Sequence, residues 1–264
     1  MNITQSLNTD LSGKRVLVTG GTKGIGKAIA DQLASAGAKV IVSARHEPAE
    51  AENPHYFIAA DLTKNQDVIM LNQEINDKFG GIDILINNVG GIVAPGGGYQ
   101  TLTDADWENE LQLNLLAAIR LDKIFLPQLI EQQSGVIIHI SSVAARTPLW
   151  KINMAYAVSK AALNAYSKTL SLEMASKNIR VLAVAPGATK TAAMEKFIED
   201  FAISTGISTD EALNKMMAEL GSIPMGRMAK PEEVASLVHF LVSPAAAYLT
   251  GTIYSIDGGS LPVV

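Results

Sequence analysis

A phenol and an ammonium four residues apart, Tyr156 and Lys160 in Ala155-Tyr156-Ala157-Val158-Ser159-Lys160, share one face of a helix. A phenol titrates near pH ~10 in isolation, and a neighbouring cation favours the phenolate and lowers that value, toward useful acid–base chemistry. A solvated helix face can carry the same pair, so its meaning depends on a second group. That group is Thr19-Gly20-Gly21-Thr22-Lys23-Gly24-Ile25-Gly26, which follows a β-branched run and opens a helical period carried by Ala28, Ile29 and Leu33. Glycine lets the chain turn tightly, lets its backbone approach a pyrophosphate without a Cβ in the way, and lets the helix pack close to the strand. The N–H groups of the helix's first turn then face the anion. The next apolar run ends in Ala44-Arg45, where a site for a free ribose 2′-hydroxyl usually carries an acid. That acid is missing. Arg45 and Lys23 are cations suited to phosphate oxygens, so the expected cofactor is NADP(H), with NAD(H) possible and His46 and Glu47 close by.

Around these groups, short β-branched runs alternate with longer stretches of helical period, the pattern of βαβ units around a parallel sheet. Runs at 15–19, 39–43, 55–60, 82–87, 136–141, 180–185 and 253–256 predict an α/β fold: three layers, doubly wound, with a seven-stranded parallel sheet in one domain over 1–264. Val68, Leu71, Ile75 and Phe79 recur at helical spacing and read as a core stripe. The stretches 111–124 and 155–174 are apolar or small nearly all round, more than one sheet face can cover. The row Ala157, Ala161 and Ala165 points to a second subunit on the other side, with cover by the chain's own loops as the alternative.

Residues 188–222 form an insertion whose Ser208-Thr209-Asp210-Glu211 reads as a capping box. Met194, Phe197, Ile198, Phe201, Met216, Met217 and Leu220 give it apolar faces. It reads either as an adaptable lid over an apolar substrate or as a surface excursion with its own small core.

Composition narrows the partners. A net charge of −5 argues against nucleic acid and anionic membrane surfaces. The absence of cysteine excludes disulfides, a thiol nucleophile and thiolate metal sites. No run approaches the ~18 apolar residues of a membrane span, and the first ten residues lack a secretory pattern, so a cytoplasmic protein with a small-molecule partner is expected. His46, His55, His139 and His239 have no metal-ligand spacing, and no catalytic metal is expected. His139, inside a central strand, reads as a satisfied interior histidine. Pro95-Gly96-Gly97-Gly98 reads as a mobile loop beside the substrate.

With these motifs in hand the sequence resembles the short-chain dehydrogenases/reductases, in their single-domain Rossmann-fold branch of about this length. The likeness runs from Thr19–Gly26 through Asp61-Leu62, Asn87-Asn88-Val89-Gly90, Asn114, Ser141-Ser142 and Tyr156/Lys160 to Pro186-Gly187-x-x-x-Thr191. It implies that Tyr156 exchanges a proton with the substrate oxygen, that Ser142 hydrogen-bonds that oxygen, and that Asn114 anchors a water relay. Lys160 would hold the nicotinamide ribose and lower the Tyr156 pKa. Gly20, Thr22, Lys23, Gly24, Ile25 and Gly26 would cradle the pyrophosphate, Asp61 with Leu62 would meet the adenine, and Asn88 to Gly90 the adenosine side. Thr191 would help fix the nicotinamide carboxamide, and Pro186, Gly187 and Thr189 would also touch the cofactor. A tetramer is the family's common habit.

Some residues depart from the family pattern. Ser142 precedes Tyr156 by fourteen residues, one more than usual, which leaves Ser141 as a rival; Val89 stands where alanine is usual. The expected reaction is interconversion of a ketone and a secondary alcohol. The substrate is expected to be apolar, alicyclic or an acyl thioester, on the strength of Leu149, Trp150, Met154, Ile92, Val93, Met194 and Phe197. Other reactions of this fold (epimerase, dehydratase, enoyl reductase) and a non-enzymatic NADP(H) sensor are the alternatives. Longer C-terminal regions, wider Tyr–Lys spacing or a lost Tyr or Lys would mark them.

Overall fold

The computed structural model describes residues 8–48, 54–219 and 223–262. Seven strands form one parallel sheet: β1 (Arg15–Thr19), β2 (Lys39–Ala44), β3 (Tyr56–Ala59), β4 (Ile84–Asn87), β5 (Gly135–Ile140), β6 (Ile179–Pro186) and β7 (Ile253–Ile256). Their order across the sheet is β3-β2-β1-β4-β5-β6-β7. The order reverses between β1 and β4, and at such a switch point the strand C-termini open a crevice.

Both sheet faces are covered, which is why the strands are almost continuously apolar. Val16 and Val18 point to one face, where α1 (Gly24–Ser35) contributes Ile29 and Leu33 and α8 (Pro231–Val242) contributes Val238 and Leu241. Leu17 points to the other, against α2 (Asn65–Phe79), α4 (Ala117–Glu131) and α5 (Trp150–Met174). In α2, Val68, Leu71 and Ile75 are buried and Phe79 packs against the same cluster. Among the described residues no helix is long and apolar enough to cross a membrane.

The stretch expected to be one helix over 111–124 is three pieces. Helix α3 (Asp104–Leu111) starts at Thr103, whose hydroxyl accepts the Asp106 N–H in a capping box, and a π-helical turn (Gln112–Leu116) joins it to α4. On α5, Ala157 is buried by its own chain, contrary to the expected outward row. Ala161 and Ala165 are exposed, as are Val158 and Leu172. Helices α6 (Ala192–Thr205) and α7 (Thr209–Glu219) follow β6 and share a small cluster of Ile198, Ala202, Ala212 and Met216. The capping box at Ser208 and Glu211 forms. Leu220 lies outside the described residues.

The glycine run at 95–98 does not stand free. A Cβ on Gly98 would lie 2.8 Å from the Trp150 ring and one on Gly96 2.7 Å from the Lys151 carbonyl oxygen. The Gly97 N–H donates to that same oxygen at 2.8 Å. Bare backbone lets the loop dock on the start of α5.

Candidate active site

The end of β1 is fastened to the end of β4. Thr19 Oγ1 donates to the Ile86 carbonyl and accepts the Asn88 and Val89 N–H groups at 2.9 and 3.1 Å. Asn88 Nδ2 donates to the Thr19 and Gly20 carbonyls at 2.8 and 3.3 Å. The glycine turn starts from this anchor, with Gly20 at a left-handed φ of 63°. A Cβ on Gly26 would fall 2.2 Å from the Gly20 carbonyl oxygen and 2.4 Å from Asn88 Nδ2, so α1 can seat on the turn only with glycine there. Lys23, at the N-cap of α1, supplies no side-chain cap, and a lysine has no acceptor to offer. Gly24 approaches the Thr191 side chain, where a Cβ would be 3.4 Å from Cγ2, so the turn and the β6–α6 connection face one another.

Beside the turn, α5 and the π-helical turn bring the titratable groups together. Lys160 is 2% exposed, and its Nζ donates to the Ile140 carbonyl at 2.9 Å. Asn114 is 1% exposed; its Oδ1 accepts the Gly91 N–H and its Nδ2 donates to the Gly91 carbonyl, both at 2.9 Å. These two bonds fix which way the amide points. A Cβ on Gly90 would lie 2.7 Å from Asn114 Oδ1 and 2.8 Å from Lys160 Nζ, so Gly90 closes over both. Lys160 Nζ lies 5.7 Å from the Tyr156 ring centroid.

Burial brings the Lys160 ammonium down to about 8, against the pull of the Glu110 carboxylate. The expectation that Tyr156 is acidified is overturned. Burial pushes its phenol above the ordinary value, a hydrogen bond with Ser142 works against that shift, and the Glu110 charge adds to it. Desolvation leads because it penalises the phenolate directly, and the Ser142 bond does not offset it.

The two adjacent serines part company. Ser142 is half-buried, its Oγ accepting the Ala144 N–H at 3.1 Å, and it is near enough to Tyr156 to influence the phenol's acidity. Ser141 is 4% exposed and turned toward the Lys160 carbonyl at 3.5 Å. The chain between Ser142 and Tyr156 runs through a 3-10 turn (Val143–Ala145) and a first turn of α5 interrupted at Asn153. Asn153 Oδ1 accepts the Leu149 N–H at 3.0 Å there.

Glu110, one helical turn before Asn114, has no mark in the sequence beyond that i, i+4 spacing. It is 0% exposed. Its Oε2 accepts the Val93 and Ala94 N–H groups at 3.0 and 2.7 Å, and its Oε1 accepts Asn114 Nδ2 at 3.1 Å.

The remaining predicted residues distribute around this centre. Lys23 and Arg45 are exposed, and among the described residues neither side chain is hydrogen-bonded or ion-paired. Thr22 and Ile25 sit half-buried on the turn. Asp61 is half-buried; burial raises its pKa, and bonds from Thr63 with Lys64 nearby hold it below the ordinary value on balance. Leu62 belongs to the core beneath the sheet, so only its backbone can face a ligand. Pro186 ends β6, and Gly187 packs on Asp257, where a Cβ would be 2.9 Å from Cα. Thr189 is buried with its hydroxyl on the Gly187 carbonyl at 3.1 Å, and Thr191 caps α6 through the Met194 N–H. His139 is wholly buried between Asp122 and Ser167, at 2.9 and 3.0 Å, an interior histidine.

A family model described as enoyl-(acyl carrier protein) reductase matches residues 20–260. The chain is 34% identical over 257 residues to the 3-oxoacyl-[acyl-carrier-protein] reductase FabG of Vibrio cholerae, covering 95% of this chain and 98% of that protein. The chain belongs to the short-chain dehydrogenase/reductase family. Another family member, the 7alpha-hydroxysteroid dehydrogenase of Escherichia coli, is 34% identical over 96% of both chains. In three dimensions, the L-sorbose reductase of Gluconobacter frateurii, solved with NADPH and L-sorbose, superimposes with a TM-score of 0.88 at 32% identity, covering 97% of this chain and all of that one. The aldohexose dehydrogenase of Thermoplasma acidophilum gives 0.85, also at 32% identity. The seven-stranded doubly wound sheet is thus the Rossmann-type fold of the family.

Proposed function

We propose that this short-chain dehydrogenase/reductase is an NADP(H)-dependent enzyme interconverting a ketone and a secondary alcohol, with Tyr156 as its acid–base group. The observation that carries the reading is the convergence of Ser142 and Tyr156 with Lys160 and Asn114 beside the glycine turn. The residues fit a dinucleotide: Gly20 and Gly26 leave backbone where a Cβ would intrude, and the first turn of α1 has no side-chain cap to displace. Gly20 to Gly26 and the exposed N–H groups of α1 would hold the pyrophosphate, Asp61 and the Leu62 backbone the adenine, and Pro186, Gly187, Thr189 and Thr191 the nicotinamide end. Lys23 and Arg45, exposed and without a partner among the described residues, support a 2′-phosphate, which favours NADP(H) over NAD(H).

The cofactor, when bound, supplies or takes the hydride. Tyr156, kept protonated by burial, donates a proton to the oxygen that becomes the alcohol. Ser142 donates a second hydrogen bond to the same oxygen, and a donor in such a position is worth roughly 3 kcal/mol in the transition state. Lys160, charged below about pH 8, would hold the ribose hydroxyls and face the relay that Asn114 would anchor.

Relatives at similar identity are named for an acyl-carrier-protein substrate, a steroid and sugars, so likeness alone does not choose among them. Ile92, Val93, Trp150 and Phe197 are exposed apolar side chains on segments that follow the C-termini of β4, β5 and β6. They favour an apolar alicyclic or acyl-thioester substrate, with the described part of the insertion, 188–219, as its lid. The exposed Val158, Ala161, Ala165 and Leu172 face of α5 favours a homo-oligomer, a tetramer by family habit. The description of the matching family model supports a second reading, enoyl-thioester reduction; the four-residue Tyr156–Lys160 spacing weighs against it.

One panel separates these readings: ketones, secondary alcohols and an α,β-unsaturated thioester, followed at the nicotinamide absorbance with NADPH and with NADH. Turnover of a ketone or alcohol, lost in Tyr156→Phe while NADPH still binds, is the expected result. Weakened cofactor binding with surviving turnover in Tyr156→Phe would refute the assigned role.

A further inference from the structure

Glu110 is a wholly buried carboxylate with no ion-pair partner within bonding distance among the described residues, a costly arrangement unless its hydrogen bonds compensate. Each of its three bonds has the carboxylate as acceptor. The donors are the Val93 and Ala94 N–H groups at 3.0 and 2.7 Å and Asn114 Nδ2 at 3.1 Å. Asn114 cannot be turned to offer its oxygen instead, because Oδ1 already receives the Gly91 N–H and Nδ2 already gives to the Gly91 carbonyl. Burial pushes the Glu110 carboxyl above its ordinary value, and the Ala94 and Val93 N–H groups with the Lys160 charge oppose that rise; three donors and no acceptor suit the ionised form.

The bonds reach two places at once. Val93 and Ala94 begin the segment that leads to Gly98 and its seat on Trp150, on the substrate side of the cleft. Asn114 lies with Lys160 beneath Gly90, on the proton-relay side. Glu110 sits on α3, and the π-helical turn that follows is what carries Asn114 to meet it while also reaching Gly91.

We propose that Glu110 is a positioning residue of this site: one buried carboxylate sets the start of the substrate-side loop, orients Asn114 and holds a negative charge behind Lys160. This rests on the reading of Tyr156 and Lys160 given above. The titratable groups facing Lys160 are Tyr156 on its own helix and Glu110 from α3.

Two variants separate charge from reach. Glu110→Gln keeps an oxygen for the Val93 and Ala94 N–H groups but removes the charge and sets one amide N–H against another at Asn114. Its alkaline limb in the pH profile of kcat/KM should move down by at least about half a pH unit, with kcat about tenfold lower. Glu110→Asp keeps the charge but is one carbon too short to hold the loop. It should raise KM for the carbonyl substrate several-fold while its alkaline limb stays at the wild-type position. NADPH affinity, read by fluorescence, should stay within about twofold in both, and thermal melting establishes that each is folded. Folded variants with wild-type KM, kcat and alkaline limb would overturn the assignment. So would a Glu110→Asp that shifts the limb as far as Glu110→Gln, because the charge would then not be what matters. A Tyr156→Phe enzyme that keeps its turnover would sink the underlying reading instead, so the two failures are told apart.

Discussion

Replacing Gly90 with alanine adds one methyl group at the point where the proposed relay is most crowded. The new Cβ would stand 2.7 Å from Asn114 Oδ1 and 2.8 Å from Lys160 Nζ, whereas an unstrained carbon contact needs about 3.5 Å. One or both polar atoms must give way by roughly half an ångström or more. Lys160 Nζ is held at 2.9 Å by the Ile140 carbonyl and Asn114 Oδ1 at 2.9 Å by the Gly91 N–H, so such a shift takes one of those bonds beyond useful range. A hydrogen bond to a charged group is worth about 1.5–3 kcal/mol, which corresponds to a loss of roughly ten- to a hundredfold in kcat/KM. Gly90 is exposed and is not among the glycines with positive φ, so the backbone itself accepts alanine. The melting temperature should therefore fall only by what the lost bond costs, roughly 3–6 °C, and the variant should stay folded. The assay is steady-state turnover of the best ketone in the panel, with NADPH binding and a thermal melt in parallel. An alanine variant with kcat/KM within twofold of wild type would mean that Lys160 and Asn114 tolerate displacement, and the positional argument for both would fail.

Three further outcomes are expected. Arg45→Ala should weaken NADPH by about tenfold, the low end for an exposed charge-assisted bond, and leave NADH nearly unchanged; equal losses for both cofactors would remove Arg45 from 2′-phosphate recognition. Because Lys160 is brought down to about 8, it is a cation below that pH and neutral above, while the Tyr156 phenol, pushed up by burial, keeps its proton throughout. Ketone reduction measured as kcat/KM, which reports the free enzyme, should hold below about pH 8 and decline above it, and a profile flat to pH ~10 would contradict this assignment. Light scattering at micromolar concentration should give an oligomer, whereas a monodisperse monomer would mean that the exposed Val158, Ala161, Ala165 and Leu172 face of α5 stays in solvent.

Most of the fold could be read from sequence because its determinants are local and repeated. Each strand is a β-branched run bounded by a turn, and burial on both faces makes those runs apolar enough to stand out. The limits of β1 and β7 agree with the expected ranges, and the other strands shift by one or two residues. The glycine turn was legible for a related reason. Its chemistry is backbone chemistry, and only glycine satisfies the contact that Gly26 makes with Gly20 and Asn88.

What escaped was set by tertiary contact. Residues 104–124 contain no proline or glycine to mark a break, so nothing local announces that Asn114 sits in a π-helical turn rather than in a regular helix. That turn is stabilised by bonds from Asn114 to Gly91 and Glu110, partners that the chain brings together only once β4 and α3 are both in place. Glu110 was invisible on the same ground, because an acidic residue in a helix reads as solvated until its surroundings are known. The acidity expected of Tyr156 failed for the complementary reason. Spacing reveals which charge is near a phenol, but the sign of the net shift depends on how much water the fold removes, and here burial wins. A phenol that desolvation keeps protonated, beside a lysine that loses its own proton only near pH 8, suits proton donation to a carbonyl under reduction, and this follows from desolvation rather than from any residue's identity.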